Sequence, residues 1–151
     1  VIVSDINNFR LNLARQLGAD VIVNPGESDL GDIVLRETDG RGADVTFEAV
    51  GYARTFESAV TITKLGGNVV AIGNLEKTVT INLQDLVARE LTIAGSYASA
   101  GEFRECIDLI SSRKISAEPL ISDVMPLCEG QKAFDRLLGG KEDLIKIILE
   151  P

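Results

Sequence analysis

Short apolar runs alternate with stretches of helical periodicity along this chain, which predicts strands and helices in turn. The run Val1–Asp5 is typical of a strand, a helix is predicted over Asn8–Leu17, and Gly18 is its expected left-handed cap. Further strands are predicted at Val21–Val23, Ala43–Val50, Asn68–Ile72, Leu91–Gly95 and Asp143–Leu149. Further helices are predicted at Asp29–Thr38, Thr55–Thr63, Glu102–Arg113 and Glu129–Leu138.

The segments between these elements have less regular patterns. Thr78–Leu83 alternates like an edge strand, Leu86–Arg89 predicts a short helical turn, and Pro119–Pro126 is expected to be extended. Ser28 is the predicted N-cap of the second helix. The helix Glu102–Arg113 is expected to turn its apolar face inward, which would bury Phe103, Cys106, Ile107 and Ile110.

Strands joined by helical crossovers predict an α/β fold, a Rossmann-type doubly wound parallel sheet. The usual strand order places the first strand between the second and the fourth, which here correspond to Val1–Asp5 and Ala43–Val50. Neither that strand nor the glycine-rich turn G-x-G-x-x-G occurs in the 151 residues. We therefore expect an incomplete sheet with two unpaired edges, and a longer enzyme whose first strand, glycine turn and first helix precede Val1.

Two parts are expected along the chain. Residues 1–118 are predicted to form a dinucleotide-binding domain that is incomplete at its N-terminus. Residues 119–151 form the second part, for which the family resemblance described below implies a closing segment that returns toward a catalytic domain absent from this sequence.

Composition narrows the possible functions. The net charge of −8, from 15 basic and 23 acidic residues, argues against nucleic acid or an anionic membrane as partner. No apolar run approaches the ~18–20 residues of a membrane span, and a cytoplasmic location is expected. Histidine is absent, and the two cysteines, Cys106 and Cys128, are expected to be buried and unpaired. No catalytic or metal-ligating residue is therefore assigned.

Asp5 is the sharpest candidate for binding chemistry, because it ends an apolar strand and directly precedes a helix. A carboxylate in that position accepts hydrogen bonds from the hydroxyls of an adenosine ribose. The residues that follow, Ile6 and Asn7, are not basic, which favours NAD over NADP. Asp5 also has the alternative role of N-cap for the helix at Asn8. Methyltransferases carry an acid at this position too, so the position alone is not decisive.

Three successive strands stop at a glycine: Gly51, Gly73 and Gly95. Because parallel strands end at one edge of a sheet, these glycines allow a flat ligand to approach the backbone there, or they simply permit turns. Glu48, inside an apolar strand, is expected to be a hydrogen-bonded structural residue rather than a catalytic one. Tyr97 is interpreted as pocket wall.

A resemblance covers essentially the whole chain and rests on segments that occur in order. They are Asp5-Ile6-Asn7, Arg10, Leu17-Gly18-Ala19-Asp20, Asn24-Pro25 and the stretches 42–51, 66–73 and 91–96. The tail adds Pro119-Leu120-Ile121, Pro126-Leu127, Ala133-Phe134 and 145–149. Together they resemble the cofactor domain of zinc-dependent medium-chain alcohol and polyol dehydrogenases, the sorbitol and threonine dehydrogenase branch above all.

This resemblance implies a cofactor site and a reaction. NAD is the implied cofactor, and its implied contacts are Asp5, Ile6, Arg10, Val50, Gly51, Ile72, Gly73, Ser96 and Ala98. It implies hydride transfer between nicotinamide and an alcohol or polyol, with catalytic zinc only in the absent domain. It also implies a homo-oligomer, a dimer or tetramer, formed through the edge at residues 78–95. The 151 residues alone are expected to be inactive.

Two other functions stay open at this point. One is a zinc-independent enzyme of the quinone-reductase type, which the upstream metal ligands would decide. The other is a non-catalytic nucleotide-binding module, which NAD binding without turnover in the full-length protein would favour.

Overall fold

Strands and helices alternate throughout the computed structural model, which describes residues 1–140 and 142–151. The strands are β1 (Ile2–Ser4), β2 (Val21–Val23), β3 (Ala43–Glu48), β4 (Thr63–Ala71), β5 (Thr92–Gly95), β6 (Ile121–Pro126) and β7 (Lys146–Glu150). The helices are α1 (Asn8–Gln16), α2 (Leu30–Glu37), α3 (Ala53–Ile62), α4 (Leu83–Ala88), α5 (Phe103–Ser111) and α6 (Gly130–Gly139). Short 3-10 turns occupy Glu118–Leu120 and Leu127–Glu129.

All strand pairings are parallel, which confirms the predicted α/β class. The expectation that the first five strands form one sheet was wrong: β1 pairs with β2, β3-β4-β5 form a separate sheet, and β6 pairs with β7. Within the described residues, nothing pairs with the outer edge of β1 or of β3. These are the two edges between which the usual strand order places a further strand, and without it the hydrogen-bond ladder is interrupted.

Several local predictions need correction. Residues 78–82 form no strand, and Leu83 already belongs to α4, which Asn82 caps by accepting the N–H groups of Gln84 and Asp85 at 3.0 and 3.2 Å. The N-cap of α2 is Asp29 and not Ser28, since its Oδ1 accepts the N–H of Asp32 at 2.9 Å. Each cap fixes where its helix begins.

Strand β4 begins five residues earlier than predicted. Its register against β3 jumps from Ala43↔Thr63 to Val45↔Asn68, and Gly66 in the irregular stretch adopts a φ of 67°. The early part is held by Thr63, whose hydroxyl is buried and lies 2.7 Å from the hydroxyl of Thr46 on β3.

The main core lies between α3 and the sheet β3-β4-β5, the central sheet of the chain. Phe56 and Ala59 of α3 pack on Val69, which is fully buried in β4. Leu11 and Leu13 of α1 and Val23 of β2 are buried as well. These contacts place the carboxyl ends of the strands at the surface, where the candidate site lies.

The predicted inward face of α5 is exposed, so that expectation was wrong. Phe103 is 73 % exposed, and Ile107 and Ile110 are about half exposed. Cys106 and Cys128 are both exposed and free, against the expected burial. A helix buries its apolar face only where another element covers it, and the described residues leave this face uncovered.

Among the described helices, none combines the length and the apolar character that crossing a membrane requires.

Candidate functional site

The first part of the site is the turn between β1 and α1, which carries Asp5. The Asp5 N–H donates to the carbonyl of Val23 at 3.2 Å, so the turn continues the pairing of β1 with β2. Asp5 Oδ1 accepts the N–H of Asn7 at 2.8 Å, while Oδ2 lies 3.9 Å from the Arg10 guanidinium. The Asp5 side chain is 29 % exposed. One carboxylate oxygen therefore stabilises the turn, and the other faces a cation and solvent.

The helix cap belongs to Asn7 and not to Asp5. Asn7 Oδ1 accepts the N–H groups of Phe9 at 2.8 Å and Arg10 at 3.3 Å, which satisfies two donors at the start of α1. The alternative role considered for Asp5 is thus taken by its neighbour, and Asp5 Oδ2 is left for other partners. Ile6, between the two, is 81 % exposed and contributes an apolar surface beside the carboxylate.

Asn24, at the end of β2, supports this turn, a role that the sequence did not indicate. Its amide donates to the carbonyl of Ile6 at 3.3 Å, to Asn8 Oδ1 at 2.9 Å and to Glu27 Oε1 at 3.1 Å. Its Oδ1 accepts the N–H of Gly26 at 2.9 Å. In the sequence only the turn signal Asn24-Pro25-Gly26 was visible, since the partners at Ile6 and Asn8 are distant along the chain.

An open depression of about 640 Å³ lies beside the start of α1. It is lined by Ile6, Asn7, Asn8, Phe9 and Asn12, together with Asp143 from the segment before β7. The tail of the chain therefore reaches the Asp5 turn, and it brings a second carboxylate to this surface.

The second part of the site is the carboxyl edge of β3, β4 and β5, and Glu48 holds it together. Its carboxylate is 4 % exposed and accepts the N–H groups of Val50 and Gly51, each at 2.9 Å, and the hydroxyl of Thr55 at 2.8 Å. A buried carboxylate is tolerated when donors surround it. The structural role predicted for Glu48 is therefore confirmed.

The two turns that follow β3 and β4 are in backbone contact. A Cβ at Gly73 would lie 2.1 Å from the amide nitrogen of Gly51, and a Cβ at Gly51 would lie 2.4 Å from the nitrogens of Asn74 and Leu75. Gly51 also has a φ of 92°. Each position needs a glycine because a Cβ there would clash with the backbone of the other turn. Close backbone packing is therefore enough to explain both glycines without a ligand.

Gly95 differs from the other two strand-end glycines, because a Cβ there would meet nothing within 4 Å. The next residue, Ser96, donates its N–H to the carbonyl of Ala71 at 2.9 Å, which extends the pairing of β4 with β5. Ala98 and Tyr97 follow on the exposed chain, and Tyr97 is 83 % exposed. The backbone after β5 is therefore accessible from solvent.

The structure gathers the predicted residues into two clusters. Asp5, Ile6 and Arg10 form the first. The second comprises Val50, Gly51, Ile72, Gly73 and Ser96, where Ile72 and Gly73 donate to the carbonyl of Glu48 at 2.8 and 3.0 Å. No hydrogen bond between described residues joins the two clusters.

The chemistry that these clusters offer is suited to binding. They offer a carboxylate, a guanidinium and backbone groups. Across residues 1–140 and 142–151, no three histidine, cysteine or acidic side chains come together as metal ligands. Such a surface suits a polar ligand with hydroxyl and amide groups.

Known proteins resemble this chain in sequence and in fold. A family model described as zinc-binding dehydrogenase matches residues 1–112. The (R,R)-butanediol dehydrogenase of Neisseria gonorrhoeae is 31 % identical over 153 residues, an alignment that covers 100 % of this chain and 43 % of that protein.

Two solved structures superpose on essentially all of the chain. A short chain alcohol dehydrogenase from Escherichia coli CFT073, complexed with cofactor NADH, matches with a TM-score of 0.90 and 25 % identity and covers 100 % of this chain and 44 % of its own. A putative zinc-binding dehydrogenase from Sinorhizobium meliloti 1021, bound to NADP, matches with a TM-score of 0.88 and 26 % identity, at 100 % and 45 % coverage. The chain spans less than half the length of these relatives, and it belongs to the zinc-binding dehydrogenase family.

Proposed function

We propose that this chain is the NAD-binding part of an alcohol or polyol dehydrogenase. The observation that carries the proposal is the Asp5 carboxylate at the end of β1, with Oδ1 engaged by Asn7 and Oδ2 directed to Arg10 and solvent. A ribose diol donates two hydrogen bonds, and a partly exposed carboxylate accepts them. The named relatives, which include a butanediol dehydrogenase and an NADH complex, support the same assignment.

The adenosine end of the cofactor would lie on the first cluster. Asp5 would accept the ribose hydroxyls, and Ile6 would supply an apolar surface next to them. The Arg10 guanidinium, 3.9 Å from Asp5 Oδ2, would border the ribose on the other side of the carboxylate. Val50 and Gly51, which belong to the second cluster, would border the adenosine from the end of β3.

The nicotinamide end would lie on the second cluster. The N–H groups of Ile72 and Gly73 are already donated to Glu48, and that of Ser96 to Ala71. The cofactor carboxamide would therefore use its NH₂ group to donate to carbonyl oxygens of this edge, with the N–H of Ala98 as a donor from the exposed chain. When bound, the nicotinamide supplies the chemistry by accepting or giving a hydride.

NAD is proposed over NADP because Ile6 and Asn7, which follow Asp5, carry no positive charge. A 2′-phosphate would meet the Asp5 carboxylate, and Asp143 lines the same surface. The second candidate is NADP, since the Sinorhizobium relative binds it and Arg10 is near enough to Asp5 to face a phosphate.

The test is Asp5→Ala in the full-length protein. Losing a charge-assisted hydrogen bond is expected to lower kcat/KM with NAD by about tenfold to a hundredfold, with a smaller change for NADP. Asp20→Ala is the matched control, because Asp20 is an exposed acid at the opposite end of the β1–β2 pair. An unchanged NAD/NADP ratio in the Asp5 variant would show that Asp5 does not bind the ribose.

The rest of the proposal concerns residues outside this chain. Catalytic zinc and the substrate contacts are proposed to lie there, because the described residues provide no ligand set that fits zinc. We propose residues 1–118 as the cofactor domain, residues 119–151 as the segment that closes onto the remaining domain, and a cytoplasmic enzyme. The exposed edge of β5 and the preceding residues, 78–95, are proposed to pair with a second copy, because a free strand edge favours pairing.

A further inference from the structure

Four hydrogen bonds converge on one asparagine that none of the proposed cofactor contacts includes. Asn24 ends β2, and its amide nitrogen lies within 3.3 Å of three acceptors: the carbonyl of Ile6, Asn8 Oδ1 and Glu27 Oε1. The amide nitrogen carries two hydrogens, so these acceptors share them. Glu27 Oε1 also accepts from the amide of Asn8 at 3.0 Å, which closes a ring of three polar side chains.

This ring acts on the backbone that carries Asp5. The turn 5–8 is otherwise held by the local contacts of Asp5 Oδ1 to Asn7 and Asn7 Oδ1 to Phe9, and by the hydrogen bond from Asn8 to Glu27. Asn24 ties the middle of that turn, at the Ile6 carbonyl, to the end of the neighbouring strand. Without the tie, the turn keeps its local hydrogen bonds but loses its link to β2 beyond the single bond from Asp5 N–H to Val23.

The geometry points to Asn24 as a positioning residue for cofactor binding, an inference that rests on the proposed function of Asp5. Its Oδ1 shapes the β2–α2 turn by accepting Gly26 N–H, and its amide presents the Asp5 turn to the ribose. Asn24 acts through Asp5 and touches no reacting atom. Its contribution to NAD binding therefore exists only while the Asp5 carboxylate is present.

Asn24→Asp is the cleanest variant, because it keeps the acceptor for Gly26 and replaces only the donor. It also sets a carboxylate against three acceptors, which pushes the turn away from β2. In the full-length protein we expect the Kd for NADH, measured by fluorescence titration, to rise about threefold to tenfold. Asn24→Ala is expected to do the same, and kcat at saturating NAD is expected to stay unchanged.

A double-mutant cycle with Asp5→Ala separates positioning from a general loss of stability. In the Asp5→Ala background, Asn24→Asp is expected to have no further effect on the Kd. Additive effects in the two backgrounds would overturn the role of Asn24. No effect of Asp5→Ala by itself would instead overturn the proposed function, so the two failures are distinguishable.

Asp29→Ala is the matched control for stability. Asp29 caps α2 on the same connection as Asn24 and makes a comparable side-chain to backbone hydrogen bond of 2.9 Å, to Asp32. It has no hydrogen bond to the Asp5 turn among the described residues. A change in Kd as large as that of Asn24→Asp would show that any destabilised connection weakens binding, and it would overturn the inference.

Discussion

At the scale of single residues, the carboxyl edge of the central sheet depends on two glycines, which have no side chain, and on Glu48, whose carboxylate is fully hydrogen-bonded. Gly51 and Gly73 allow two turns to meet backbone to backbone. Glu48 then binds the N–H groups of one turn with its carboxylate and those of the other with its carbonyl. The edge is therefore held together by contacts within the chain itself.

Gly73→Ala tests the close approach. The added Cβ would lie 2.1 Å from the Gly51 nitrogen and 2.4 Å from the Val50 carbonyl carbon, and neither backbone atom can move without disturbing the Glu48 hydrogen bonds. Overpacking of this kind costs about 1–3 kcal/mol or more. We expect a loss of that size in the free energy of unfolding, measured by urea denaturation.

Gly95→Ala is the control for that measurement. A Cβ at Gly95 meets nothing within 4 Å, so its unfolding free energy is expected to stay within about 0.5 kcal/mol of the parent protein. Equal losses in both variants would contradict the packing explanation for Gly73.

At the scale of elements, Arg136 joins the last helix to its two neighbours. Its guanidinium lies 2.5 Å from Asp123 of β6 and 2.7 Å from Glu142, which precedes β7. Hydrogen bonds from Arg136 are the main reason why the pKa values of Asp123 and Glu142 lie below their ordinary values. The same contacts raise the pKa of Arg136.

These shifts predict how stability depends on pH. The unfolded carboxyls take up protons near pH 4, whereas the folded ones do so only at lower pH, so unfolding takes up protons in that range. The stabilisation is therefore complete above about pH 5 and is lost as the pH falls through the lowered folded pKa values. In thermal unfolding scans, Arg136→Met should lower the Tm at pH 7 and flatten its fall between about pH 5 and pH 2.

Arg36→Met serves as the control for removing an arginine. Among the described residues, Arg36 pairs only with its sequence neighbour Glu37, on an exposed helix surface at 3.1 Å, and such surface pairs contribute little. Its Tm profile against pH should run parallel to that of the parent protein. A parallel profile for Arg136→Met as well would show that the network does not link protonation to folding.

At the scale of the whole molecule, the fold leaves large apolar surfaces uncovered. Phe47 on β3 is 68 % exposed, and the apolar face of α5 is open. Within the described residues, the outer edges of β1 and β3 are unpaired as well. Exposed patches of this kind mark surfaces that other protein segments cover.

The 151-residue chain by itself is expected to bind NAD weakly and to hold no stoichiometric zinc. The pyrophosphate of a dinucleotide is usually held by a glycine-rich turn and a helix N-terminus, and no G-x-G-x-x-G occurs here. Calorimetric titration of the purified chain with NAD and with zinc measures both binding events. Circular dichroism verifies that the chain is folded, and the full-length protein is the positive control. Tight NAD binding by the chain alone would mean that another segment supplies the phosphate site.

Much of the fold follows from local pattern. The order of strands and helices, the parallel pairing and the buried role of Glu48 were predictable, because periodicity and the cost of an unpaired buried charge act over short stretches of chain. The predicted strand at 78–83 was wrong, and at its end the cap at Asn82 starts α4 instead. The ribose role of Asp5 stays a prediction that the mutant kinetics will decide.

The sequence by itself determined the α/β class, the resemblance to zinc-dependent dehydrogenases and the position of Asp5 at a strand end. Only the tertiary structure decided that the strands fall into separate sheets, that Gly51 and Gly73 touch, that Asn24 reaches the Asp5 turn and that α5 is uncovered. The physical reason is distance along the chain. Periodicity specifies what each segment can become, whereas these contacts join residues far apart in sequence and depend on which surfaces meet.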